Sequence, residues 1–318
     1  MKTYIIRRLI QGVLVLVLLS LLIFSAMRML PGDPVLIYIS QEDMQTFTEE
    51  DLMDLRKQFG LDKPLMVQYV YWVAGLFKGD FGKSMHYDMQ VSHLVAKRLP
   101  ITIHLGIMAS ILSIVFGTFS GVVSALRRGK HQDTFVTLFA NLGICIPVFW
   151  LAIIMIYLFG LKLGWLPVFG YTWPFDDFWM STKQSIMPII CLAIVPLSGT
   201  ARQTRSSMLE VINQDYIRTA WAKGLPERDV VLRHAIKNGL IPVVTLIGFN
   251  VRYIFGGSVL IETVFNIPGM GRLLVDAVSS QDYGIVQIGT LIVAGVVVIT
   301  NLLVDLSYGW LDPRVRYN

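Results

Sequence analysis

The chain has 318 residues, 54% of them apolar and only 15% charged, with a mean hydropathy of +0.60 and a formal net charge of +5. Charge this sparse does not clothe a soluble protein of this length, so a soluble two-domain protein is excluded and lipid is expected to be the main solvent. The two cysteines, Cys145 and Cys191, both lie in apolar runs and read as small buried hydrophobes, offering no disulfide framework and no metal site.

Taken in order, the chain opens with Lys2, Arg7 and Arg8 ahead of an apolar run at 10–29. That run is about the length needed to span a bilayer, longer than a signal-peptide core, and no small-residue cleavage site follows, so a retained first helix is expected. Five more apolar segments follow, at 101–126, 135–161, 186–201, 240–261 and 285–306. Each is near the ~20 residues a helix needs to cross hydrocarbon. The fourth is short, which leaves room for its helix to continue past Arg202. The expected fold is therefore an all-α integral membrane protein of six transmembrane helices.

Charge sets the orientation. Residues 1–8, 127–133, 202–237 and 310–318 together carry 15 basic and 6 acidic residues, whereas 31–98, 162–184 and 262–283 carry 10 basic and 15 acidic. Short basic loops mark the cytoplasm, which places both termini inside. The first outer loop, 31–98, makes an N-terminal unit (1–98) with the first helix, ahead of a five-helix core (99–318). It starts with a Pro-Gly-Asp-Pro turn at 31–34, carries a helix start at Thr48 closed by Gly60, and continues with an aromatic amphipathic run at 66–77 suited to the interface.

The second apolar segment bears Gly106, Ser110, Ser113, Gly117, Gly121 and Ser124 at steps of three and four, a small-residue face on which another helix of the same bundle is expected to pack closely. Prolines interrupt the third segment (Pro147) and the fourth (Pro188, Pro196), where neighbouring helices have to satisfy the freed backbone groups. The Gly-Asp-Phe-Gly-Lys-Ser run at 79–84 ends like a phosphate-binding loop but has Phe77 where the leading glycine belongs, and it lies outside. The five histidines form no metal-ligand spacing, and no serine elbow occurs, so no catalytic or metal-ligating residue is assigned.

The longest basic loop holds a polar island at 215–242. A short helix from Asp215 with the small residues Thr219, Ala220 and Ala222 runs into Gly224, which is placed to end it in the left-handed conformation, and Pro226 with Glu227 restarts the chain. Such a helix–glycine–helix element fits either a docking surface for a soluble partner or a solvated basic loop.

The island resembles the EAA loop of ABC importer permeases, whose pattern is Glu-Ala-Ala, three residues, Gly. Here Arg218-Thr219-Ala220, then Trp221-Ala222-Lys223, lead to Gly224. The departures at the first two positions, and the long interval from Gly224 to Pro242, are those of the dipeptide/oligopeptide/nickel permease branch. Trp221 replaces a usual arginine. Other stretches resemble that branch in order: 5–9, 29–35, 59–69, 79–85, 204–211, 262–278, 281–283 and 301–317.

This resemblance implies the type I importer fold and a role as one half of a heterodimeric permease in the bacterial cell membrane. The implied partners are a homologous sister permease, two cytoplasmic ATP-binding subunits and an extracytoplasmic substrate-binding protein, besides membrane lipid; nucleic acid is not among them. No cofactor is bound by this chain itself, ATP and Mg being used by the partner ATPases. The coupling role falls on Asp215, Tyr216, Arg218, Thr219, Ala220, Ala222, Lys223 and Gly224. Dipeptides or oligopeptides are the expected cargo, with nickel, metallophore, glutathione or sugar-type solutes allowed by the same family.

Arg252 lies near the middle of the fifth segment beside Asn250 and Ser258. A charge at that depth faces a cavity or a partner, so these three are candidates for lining the pathway, where the guanidinium would meet a substrate carboxylate; an ion pair or a subunit contact is the competing role. Asp305, near the inner end of the sixth segment, reads as structural, although together with Arg252 it would serve a stand-alone ion-coupled carrier. The stretch from Phe265 to Asp282, with Pro268 and Arg272, reads as a short helix near the outer mouth, a candidate either for closing the gate or for meeting the binding protein.

Overall fold

The computed structural model describes residues 2–29, 53–54, 57, 62–84 and 86–311. The turn expected at 31–34, most of the helix expected between Thr48 and Gly60, and the side chain of Asp305 lie outside the described residues. The helices are α1 (Lys2–Met29), α2 (Leu65–Phe77), α3 (Val91–Leu126), α4 (His131–Cys145), α5 (Val148–Met155, wound on as a π-helix through Ile156–Lys162) and α6 (Phe178–Ile212). They continue as α7 (Asp215–Ala222), α8 (Glu227–Asp229, followed by a π-helical stretch Val230–Ala235), α9 (Ile236–Gly239), α10 (Ile241–Val264), α11 (Met270–Ser279) and α12 (Tyr283–Leu311).

Five of these, α1, α3, α6, α10 and α12, are long and apolar enough to cross a membrane. The sixth expected span is a bent pair, α4 and α5, whose axes differ by 104°. Pro147 is the cause: its ring blocks the helical path and drives the residue before it out of the α region, and Ile146 accordingly sits at φ −77°, ψ 124°. The prolines of α6 act otherwise. Pro188 and Pro196 are buried inside a helix that stays continuous for 35 residues, well beyond the 186–201 segment read from hydropathy alone. Asp177 starts it early, its carboxylate accepting the Met180 N–H at 2.9 Å.

The axis of the bundle is the pair α3–α6. On α3, the buried face comprises Gly106, Ser113, Gly117, Gly121 and Ser124, the expected small-residue stripe. A Cβ built on Gly121 would lie 2.5 Å from the Ala201 carbonyl oxygen, and one on Gly117 would lie 2.9 Å from that of Leu197. Only glycine allows the two backbones this close, and the partner helix belongs to the same chain.

Three apolar cores line this axis from end to end. The first joins Ile23 and Met27 of α1, Val91 and Leu94 of α3, Met270 and Leu273 of α11, and Ile285 of α12. The second lies between α3, α5, α6 and α10 around Leu105, Met187, Ile254 and Phe265. The third, at the end carrying the basic loops, gathers Ala125, Met208, Ile217, Val230 and Ala235. Large apolar side chains of α1 such as Val13, Leu14, Val17 and Leu18 are more than half exposed, as a surface turned to lipid or to another membrane subunit requires.

Candidate functional site

At the basic end, α7 forms because Asp215 opens it with an acidic residue at the positive end of the helix dipole, and it stops where Gly224 takes φ +77°. The Gly224 N–H donates to the Trp221 carbonyl at 2.9 Å. Ile217 and Ala220, three apart, point into the third core at 0% and 6% exposure. Ala220, expected among the docking residues, therefore serves as the seat of the helix, because the 3.6-residue period turns it inward with Ile217. Asp215, Tyr216, Arg218, Thr219, Trp221, Ala222, Lys223 and Gly224 are exposed on the other side. The Asn238 amide donates to the Tyr216 hydroxyl at 3.0 Å, tying α7 to α9. Gly239 lets α9 press against Met208 of α6, whose sulfur lies 2.7 Å from where a Cβ would stand. The α7 element is thus a short helix braced on α6, which is 35 residues long.

Next to it stands a charged knot. The Arg205 guanidinium of α6 donates to both oxygens of Asp133, at 2.6 and 2.9 Å. The same carboxylate accepts the Ser124 hydroxyl at 2.6 Å and the Gly129 N–H at 3.0 Å. Asp133 is the one acidic residue of the 127–133 loop, and it locks α3, α4 and α6 together. Nothing in the sequence joined it to Arg205, 72 residues away.

The three pathway candidates on α10 part company. Arg252 is exposed, its guanidinium 4.9 Å from the ring centroid of Phe249, a cation–π arrangement on the helix's own surface. Asn250 faces α6, donating to the Thr200 hydroxyl at 2.9 Å and to the Pro196 carbonyl at 3.3 Å. Ser258 is 2% exposed and donates to the Phe255 carbonyl at 2.8 Å, so it packs inside the subunit. The spacing that puts Ser258 inside is that of Ile254, Ile261 and Glu262, the buried face of α10.

At the opposite end, α11 is held at both of its termini. Asn266 and Gln281, each at φ 52°, make the turns that precede and follow it. Of the gate candidates, Phe265 is buried in the second core, Pro268 is half-buried, and Arg272 pairs with the Asn266 side chain and, at 3.8 Å, with Asp276. Asp282 is 1% exposed and accepts the Ser84 hydroxyl, the His86 N–H at 3.1 Å and the Ile285 N–H at 3.2 Å. The 79–84 run, which ends like a phosphate loop, thus docks its hairpin on the start of α12. Burial pushes the phenol of Tyr87, in the same hairpin, above its ordinary range. Sequence reasoning missed Glu262 as well; its signal was a lone carboxylate in an apolar run just before Asn-Ile-Pro-Gly. Among the described residues, no group of three or more His, Cys, Asp or Glu side chains is placed to hold a metal ion.

A bundle of membrane-length helices around a continuous α3–α6 pair, with a short braced helix projecting at the basic end, is the fold of an ABC importer transmembrane subunit. The inward-facing MetNI methionine ABC transporter matches it with a TM-score of 0.55 over 69% of this chain and 96% of that one, at 16% identity. Sequence comparison then defines the family. Residues 113–317 match the binding-protein-dependent transport system inner membrane component, and residues 1–106 match its N-terminal part. The chain belongs to this family and is a multi-pass permease subunit of the bacterial inner membrane. It is 40% identical over 317 residues to a probable peptide ABC transporter permease (y4tP) of Sinorhizobium fredii, covering the whole of both chains. A dipeptide transport system permease (DppB) of Alkalihalophilus pseudofirmus is 36% identical over 337 residues, again covering both chains fully. A putative peptide transport system permease of Brucella abortus is 41% identical over 320 residues.

Proposed function

We propose that this chain forms half of the translocation path of an ATP-driven, binding-protein-dependent importer of dipeptides or oligopeptides, and that α7 is the element through which cytoplasmic ATPases drive it. The observation that carries this reading is the construction of α7: an exposed Asp215-Arg218-Thr219-Ala222 face braced from behind by Ile217 and Ala220 and ended by a left-handed glycine. A force applied to that face passes to α6 through the third core, and from α6 to α3 along the glycine stripe. The excess of basic residues at that end supports placing it, with both termini, in the cytoplasm. The peptide cargo is supported by the full-length likeness to permeases named for peptides and dipeptides. A sister permease, two ATP-binding subunits and an extracytoplasmic binding protein complete the assembly.

The test is co-expression with the sister permease, the ATP-binding subunits and the binding protein, purification and reconstitution. Co-elution with the ATPase and ATP-dependent peptide uptake are expected, and Gly224→Val is expected to abolish uptake or ATPase docking while leaving membrane insertion intact. Full ATP-driven uptake by that variant, or uptake driven by an ion gradient without ATP, overturns the reading.

A further inference from the structure

The Glu262 carboxylate is 0% exposed, yet none of its hydrogen-bond partners is a cationic side chain. It accepts the Thr102 hydroxyl of α3 at 2.6 Å and the Arg272 N–H at 3.0 Å. The Thr102 oxygen in turn accepts the Met270 N–H at 2.8 Å. A carboxylate surrounded by donors and set at the N-terminus of α11 is held by oriented dipoles in place of a counter-ion. The fit is close. A Cβ on Gly269 would overlap the carboxylate itself, and one on Gly271 would lie 2.6 Å from the Val259 Cα of α10.

Its position in the fold gives the node a consequence. Met270 and Leu273 on α11 belong to the first apolar core, whereas Ile261, Phe265 and Ile267, on the chain just before, belong to the second. Glu262 and Thr102 stand where the two cores meet, and the carboxylate joins α3, α10 and α11 at one point. Release of that point leaves α11 held by its apolar face and by the Asp282–Ser84 contact at its far end.

We propose that Glu262 and Thr102 are positioning residues for transport: a latch that holds α11 as a closed flap over the end of the bundle opposite α7, so that α11 moves with α3 and α10 during the transport cycle. The latch rests on the family's transport role and is independent of which solute is carried.

The experiment uses the full transporter in nanodiscs, with Cys145 and Cys191 replaced by serine and Leu273, on the buried face of α11, replaced by cysteine. Maleimide labelling at 273 is compared among this parent, Thr102→Val, Thr102→Ser and Glu262→Gln. Thr102→Val and Glu262→Gln are expected to label roughly ten- to a hundredfold faster, the range of a lost hydrogen bond to a buried charge. Thr102→Ser, which keeps the hydroxyl, is expected to label at the parental rate. Uptake per ATP hydrolysed is expected to fall in the first two only. Parental labelling rates in both assembled variants overturn the latch, as does failure of both to assemble, which makes the node a folding element. Because labelling needs no substrate, a wrong cargo assignment leaves that result untouched.

Discussion

The contact between α3 and α6 yields a quantitative prediction through Gly121. In Gly121→Ala the new methyl would stand 2.5 Å from the Ala201 carbonyl oxygen and 2.6 Å from the Thr204 Cβ. Both neighbours sit on a helix backbone or next to it, so rotamer changes give no relief and the helices must part by nearly an ångström. Overpacking of this kind costs about 1–3 kcal/mol, with the backbone obstacle favouring the upper end. The gain in helix propensity from glycine to alanine returns only about 0.5–1 kcal/mol, leaving a net loss of roughly 2 kcal/mol. Gly199 on α6 supplies the control, since nothing lies within 4 Å of a Cβ there and Gly199→Ala keeps the propensity gain. Thermal unfolding of the detergent-purified permease is expected to rank Gly199→Ala above the parent, Gly117→Ala below it, and Gly121→Ala lowest. A Gly121→Ala protein that melts at or above Gly199→Ala refutes the close-approach argument.

Arg205→Lys keeps the charge of the knot at Asp133 but loses the two-pronged donation; with Asp133 8% and Arg205 31% exposed, a loss of about 1–2 kcal/mol is expected, read as a lower thermal midpoint, and Asp133→Ala is expected to exceed it. Ser84→Ala and Asp282→Asn are expected to show a coupling of about 1–2 kcal/mol in a double-mutant cycle, whereas additive effects would separate the hairpin from α12. Arg252→Gln is expected to raise the KM for peptide uptake with assembly unchanged if the exposed guanidinium meets the substrate carboxylate; unchanged kinetics in an assembled complex remove it from the pathway.

What was legible in the sequence was what periodicity and length control. The apolar runs gave the spans, the glycine and serine steps of α3 gave its buried face, and Gly224 gave the end of α7. Two boundaries went astray for local reasons. Hydropathy could not register Asp177 as the start of α6, because the first turns of that helix are aromatic and polar. Pro147 was read as a kink in one span, but the extended residue it imposes at Ile146 turns the chain through 104°. The polar nodes were out of reach altogether. Thr102 meets Glu262 across 160 residues, and Ser84 meets Asp282 across 198. No local pattern marks such pairs, since each residue alone is ordinary for a helix end or a turn. Ser258, near Arg252 in sequence, lies on the buried face of α10 whereas Arg252 is exposed, as a helix of 3.6 residues per turn separates them.

The knot at Asp133 also bears on how the subunit is made. Ser124, Gly129 and Asp133 leave the ribosome together, so the hairpin of α3 and α4 is able to fold around its carboxylate as soon as both helices reach the bilayer. Arg205 is synthesised 72 residues later, after α5 and most of α6. For that interval Asp133 lacks its guanidinium partner, and the arrival of Arg205 both completes its hydrogen bonds and ties α6 to the hairpin of α3 and α4. Assembly in a lipid bilayer, where helices insert first and associate afterwards, thus has an alignment mark that becomes available only when the correct partner has been made.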